Sequence, residues 1–103
     1  MVRINIMYPN TEGGKFSYKY YLENHVPKVK EHMGEALKRF EVYQGMGSAG
    51  GKPAPFKTIV SLWFEDIETF QASFESHGEE IMKDLPNFTN IKPRIQIEKQ
   101  LLA

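Results

Sequence analysis

Between Phe56 and Phe64 the chain places Ile59, Val60, Leu62, Trp63 and Phe64 almost without interruption. A run apolar on both faces suits a strand with neighbours on either side, so this segment predicts the centre of a sheet. The rest of the chain supplies the partners. Val2, Ile4, Ile6 and Tyr8 alternate with Arg3, Asn5 and Met7, the period-two signature of a strand, before the turn-forming Pro9-Asn10-Thr11-Glu12-Gly13-Gly14. Leu37 to Gln44 reads as a strand with Phe40 and Val42 on one face and Arg39, Glu41 and Tyr43 on the other. Arg94 to Glu98 reads as the last, with Ile95 and Ile97 sharing a face.

Two stretches carry helical spacing instead. Ser17 is placed to cap the first, whose Tyr18, Tyr21, Leu22, His25, Val26, Val29 and Met33 fall on one face, with Gly34 as a natural stop. Pro27 lacks an N–H, so it kinks or restarts that helix and deprives the carbonyl of Glu23 of its usual partner. Asp66 caps the second, with the stripe Ile67, Phe70, Phe74, His77, Ile81 and Leu85, and Pro86 ends it. The order is βαββαβ, an α+β ferredoxin-like arrangement: a four-stranded antiparallel sheet with two helices on one face. Its 103 residues are enough for one core and too few for two, so residues 1–103 read as a single domain. Helices cover only one side of such a sheet. A second copy of the same sheet is the simplest cover for the other, and a homodimer is expected.

Charge and composition narrow the partners. Thirteen basic residues balance thirteen acidic ones, leaving no basic footprint for phosphates, so no nucleic-acid partner is expected. With no cysteine, disulfides, thiolate nucleophiles and thiolate-ligated metals are excluded. The apolar start turns at Pro9, too early for a signal segment or a membrane span, which points to a cytoplasmic protein with no membrane partner. Aromatics make up 13% of the chain and suggest a pocket or interface, although a Phe-rich core explains them equally well.

Gly45-Met46-Gly47-Ser48-Ala49-Gly50 matches GxGxxG, but a dinucleotide site needs that run to open a helix. Pro53 and Pro55 lead into a strand instead, so the segment reads as a hairpin loop, able to lie over a pocket as a lid. His25 and His32 are two helical turns apart, about 11 Å, too far to share one metal ion. His25 could share a metal only with His77, with Glu80 or Asp84 completing the set, and no resident metal is expected. His25 and His77 interrupt apolar stripes, so both are expected to point between helix and sheet, where each must find partners or shift its pKa. A satisfied structural histidine is the commoner outcome for either one alone. Tyr21 lies one turn before His25, and such a pair in an apolar cavity suits proton shuttling on a phenolic or carbonyl substrate. No GxSxG elbow supports a serine nucleophile.

Met7-Tyr8-Pro9-Asn10, Phe16, Tyr20-Tyr21-Leu22-Glu23-Asn24-His25-Val26-Pro27 and Asp84-Leu85-Pro86-Asn87-Phe88-Thr89-Asn90-Ile91-Lys92-Pro93 together resemble the EthD family, named for ethyl tert-butyl ether degradation. The resemblance runs from Val2 to Glu98. It departs from the family at Ser17, where Asp is frequent, but both residues cap helices. The resemblance implies a dimeric α/β barrel and a pocket between sheet and helices in each subunit. It also implies a place beside oxidative degradation systems in which a haem monooxygenase performs the oxygen chemistry. Relatives on that barrel include cofactor-free monooxygenases, cyclases, isomerases and haem-degrading enzymes, and fold analogy does not choose among them.

Three functions follow as expectations. One is a cofactor-independent enzyme of oxidoreductase or cyclase/isomerase type acting on a small hydrophobic or aromatic compound, with His25 as general acid/base, Tyr21 as orienting donor and His77 as an opposing polar group. Another is a non-catalytic binding or accessory protein that supports a partner oxygenase. The third is haem binding with His25 or His77 as axial ligand.

Overall fold

A computed structural model describes the chain from Met1 to Ala103. Strands β1 (Val2–Pro9), β2 (Arg39–Gln44), β3 (Phe56–Phe64) and β4 (Arg94–Lys99) form one sheet in the order β2-β3-β1-β4, every pairing antiparallel. The two-sided apolar run is indeed interior, flanked by β1 and β2. Register sets the faces. Ile4 lies opposite Leu62 and Ile97, and Val60 lies opposite Ile6 and Val42, so these side chains line the face under the helices. β2 starts at Arg39, two residues later than its pattern suggests, because Gly34–Ala36 forms a 3-10 turn closed by the Leu37 N–H on the Gly34 carbonyl.

The first helical segment is three pieces in series. α1 (Tyr18–Tyr20) is capped by the Ser17 hydroxyl, which accepts from the Tyr20 N–H. A π turn follows over Tyr21–His25, and α2 (Val26–Met33) carries Pro27 in its first turn. The Val26 N–H reaches back to the Tyr21 carbonyl, five residues away, so a widened turn accommodates Pro27 without a break in direction. Widening also rotates the face. The buried row advances in steps of four, Tyr21, His25, Val29 and Met33, whereas Leu22, placed on that face by helical spacing, is 53% exposed.

α3 (Ile67–Lys83) begins at Asp66, whose carboxylate accepts from the Thr69 N–H at 2.8 Å. It ends in the 3-10 turn Leu85–Asn87, which contains Pro86. α2 and α3 lie side by side on one face of the sheet, over a core centred on Ile4, Val60, Leu62 and Phe64. Residues 45–55 join β2 to β3 without forming a helix. Gly45 there accepts no side chain, because a Cβ would collide with the Phe56 carbonyl oxygen. No helix is long and apolar enough to cross a membrane.

The sheet's other face carries Met7, Ile59, Trp63 and Tyr43 among polar side chains. Trp63 Nε1 donates to Glu41 at 2.8 Å, Arg3 pairs with Glu98 at 2.5 Å, and the Arg3 and Arg39 guanidinium groups lie within 6 Å of the indole.

Candidate functional site

The helices do not close fully on the sheet: a cavity of about 210 Å³ remains between them. β1 and β3 supply its floor, α2 and α3 its roof, and Pro93 and Ile95 one side. Its wall is aliphatic and aromatic, and the hydroxyls of Tyr8 and Tyr21 are the only side-chain oxygens among the lining residues. Each tyrosine is 2% exposed. The hydroxyls of Tyr18 and Tyr20 are bonded to other groups of the chain, but those of Tyr8 and Tyr21 are not. Burial raises both cavity phenols above their ordinary value, and the adjacent Tyr8 raises Tyr21 further, so both stay protonated donors at neutral pH.

His25 sits behind Tyr21. The two rings are 5.0 Å apart and inclined by 30°, and Phe88 closes on His25 at 4.6 Å. The π turn produces this pairing by keeping residues four apart in register. His25 is 4% exposed and does not line the cavity; Tyr21 is its link to that space. Its Nδ1 lies 2.9 Å from Asp84 Oδ2. Asp84, also buried, accepts at its other oxygen from the Tyr20 hydroxyl at 2.7 Å and the Asn87 amide at 2.9 Å. Burial alone would raise Asp84, yet the hydrogen bonds from Asn87, Tyr20 and His25 outweigh it and hold its carboxyl down to about 2. Burial lowers His25 below its ordinary value against the opposite pull of Asp84. The pair is therefore a neutral imidazole donating Nδ1–H to a carboxylate, which leaves Nε2 as the basic nitrogen.

Of the three sequence-derived site residues, the structure brings Tyr21 and His25 together and sets His77 apart. His77 is half-exposed and faces His32 of α2, ring centres 5.3 Å apart, rather than His25. Seven residues fall about 20° short of two full helical turns, so His77 lags Phe70 and lands on the flank of the stripe, at the seam with α2. The shared metal set of His25 and His77 is consequently not formed, and no three His, Asp or Glu side chains converge on one point. Nor do residues 45–55 line the cavity, so the glycine loop is no lid over it.

Pattern reading missed Tyr8 as a cavity residue and saw Asp84 only as a metal ligand. One signal was available for Asp84. An anion in the last turn of a helix opposes the helix dipole, so its presence there calls for a compensating partner.

Acid should loosen this cluster. Both groups have folded pKa values below their ordinary ones, so both contribute stability that is present at neutral pH and lost on acidification. His25 begins to cost stability below about 6.5, and Asp84 withdraws about 2 kcal/mol as pH falls from about 4 toward 2. Urea midpoints should therefore fall steadily between about pH 7 and about pH 3. A flat profile over that span would contradict the pairing.

Residues 15–92 match the family described as EthD domain. An EthD-like protein from Ralstonia eutropha JMP134 is 36% identical, with 98% of this chain and 92% of that chain covered and a TM-score of 0.91. An ethyl tert-butyl ether degradation (EthD) family protein from Bacillus halodurans C-125 shares the fold at 18% identity and a TM-score of 0.68, covering 98% of this chain and 99% of its own. An Arabidopsis thaliana protein does so at 13% identity and 0.72, covering 100% and 98%. No curated protein matches the chain.

Proposed function

The chain belongs to the EthD domain family, and from that premise we propose that it takes a small hydrophobic or aromatic compound into the cavity between helices and sheet and acts on it without a cofactor, as an oxidoreductase-type or cyclase/isomerase-type enzyme of catabolism. One observation carries this reading. Tyr8 and Tyr21, each 2% exposed, carry hydroxyls that are not bonded to other protein groups and are not sealed off, at the border of an otherwise apolar space where a bound molecule or water can satisfy them.

In this reading Tyr21 meets the ligand and orients it. His25, fixed by Asp84 as the Nδ1–H tautomer, packs behind the Tyr21 ring and does not itself line the cavity, so its Nε2 takes up or returns a proton through a bridging water. His77 has no part in it. His25→Ala should reduce turnover by about a hundredfold or more if the imidazole handles the proton. Unchanged turnover of every compound the wild type converts would remove that role.

A second reading has its own support: no group lining the cavity titrates near neutral pH, as both phenols are raised. A binding or accessory protein that holds a hydrophobic compound for a partner oxygenase needs nothing more. Native mass spectrometry separates the two readings, because a carrier retains its compound through purification and releases it unchanged after incubation.

The open sheet face supports a homodimer that buries Trp63 and Ile59 against a second copy. Trp63→Glu should convert a dimer of about 24 kDa, twice the 11.9 kDa chain, to monomers in light scattering. Wild-type protein that is already monomeric at high concentration would refute the dimer.

A further inference from the structure

We infer that the cavity selects uncharged molecules carrying an oxygen acceptor at one end and a hydrocarbon chain at the other, bound oxygen-first with the chain leaving between α3 and β4. The inference rests on the proposed binding reading and specifies its ligand. The lining residues are graded in exposure. Tyr8 and Tyr21, with the only side-chain oxygens, are 2% exposed, whereas Phe74, Met82 and Ile95 are 40%, 38% and 48% exposed. The closed end is thus the polar end, and the mouth is apolar. Ile97, 45% exposed and next on the same face of β4, extends the apolar surface beyond the mouth.

Charge selection follows from the same residues. No Lys, Arg or His lines the cavity, so a buried carboxylate would have no cation to pair with. The tyrosines remain neutral and can satisfy a carbonyl, ether or phenol oxygen. A volume of about 210 Å³ holds a substituted benzene ring but not a long chain, and only an open mouth lets a chain grow.

Isothermal titration calorimetry with three compounds of one carbon skeleton tests this on the unaltered protein. Para-propylphenol should bind about 5- to 10-fold more tightly than propylbenzene, the gain of one hydrogen bond, and para-propylbenzoate at least 100-fold more weakly than the phenol. Lengthening the phenol's chain from propyl to pentyl should raise affinity about two- to fourfold per methylene. Tyr21→Phe should cut the preference for the phenol over propylbenzene, and the double variant Tyr8→Phe with Tyr21→Phe should abolish it. Equal binding of phenol and alkylbenzene, tighter binding of the benzoate, or a sharp loss of affinity at pentyl would each overturn the inference while leaving a hydrophobic binding site in place. Failure of all three compounds to bind would sink the binding reading with it.

Discussion

Replacing Asp84 by alanine is expected to lower the free energy of unfolding by about 3 kcal/mol, because it strands the buried His25 Nδ1–H and the half-buried Tyr20 hydroxyl and also releases the exposed Asn87 amide. His25 Nδ1, the Tyr20 hydroxyl and the Asn87 amide all converge on that carboxylate, at 2.9, 2.7 and 2.9 Å. No other acceptor is bonded to any of the three, and His25 is too deep for water to replace it freely. In a chain of this size the loss corresponds to a melting temperature lower by about 12–24 °C. Asp84→Asn separates shape from charge. An asparagine carbonyl can still accept from Tyr20 and Asn87, but its amide then faces His25, which must give up the Nδ1 proton and carry it on Nε2. Nitrogen-15 chemical shifts of the imidazole should report Nδ1–H in the wild type and Nε2–H in the variant. A D84A protein as stable as the wild type would show that the cluster is incidental to the fold.

The second large effect concerns binding rather than stability. Val60 is fully buried and projects from the central strand into the cavity. Val60→Phe would fill much of the space with a ring held on the sheet, removing the room a substituted benzene needs. Affinity for para-propylphenol should fall at least 100-fold. Stability should change by no more than about 2 kcal/mol, since added contacts offset local strain. Because overpacking can damage a core, the same loss should appear in Ile6→Phe, which approaches the cavity from β1. Tight binding retained in both folded variants would place the ligand elsewhere.

The architecture was legible because each strand and helix announced itself locally. Phe56–Phe64 showed a central strand by being apolar on both faces, and Ser17 and Asp66 marked both helix starts. Less legible was how each helix is rotated. Helical spacing placed Leu22 inside and His77 beside His25, but a π turn shifted one face and a lag of about 20° moved the other. Those are tertiary outcomes. A proline signals that a helix must adjust, not that it will adjust by widening one turn. Tyr21 beside His25 was readable because they are four apart on one helix, whereas Asp84 is 59 residues away from His25 and needed the fold to bring it there. Tyr8 was read only as a strand residue, since nothing in a period-two pattern tells a core position from the wall of a cavity.

The most direct test of the account is a crystal structure of the wild-type protein with para-propylphenol. The expected result is a phenyl ring between sheet and helices with its oxygen about 2.7–2.8 Å from the hydroxyl of Tyr8 or Tyr21 and its chain directed toward Phe74 and Met82. Density for the compound on the open face beside Trp63, with the cavity filled only by water, would contradict it.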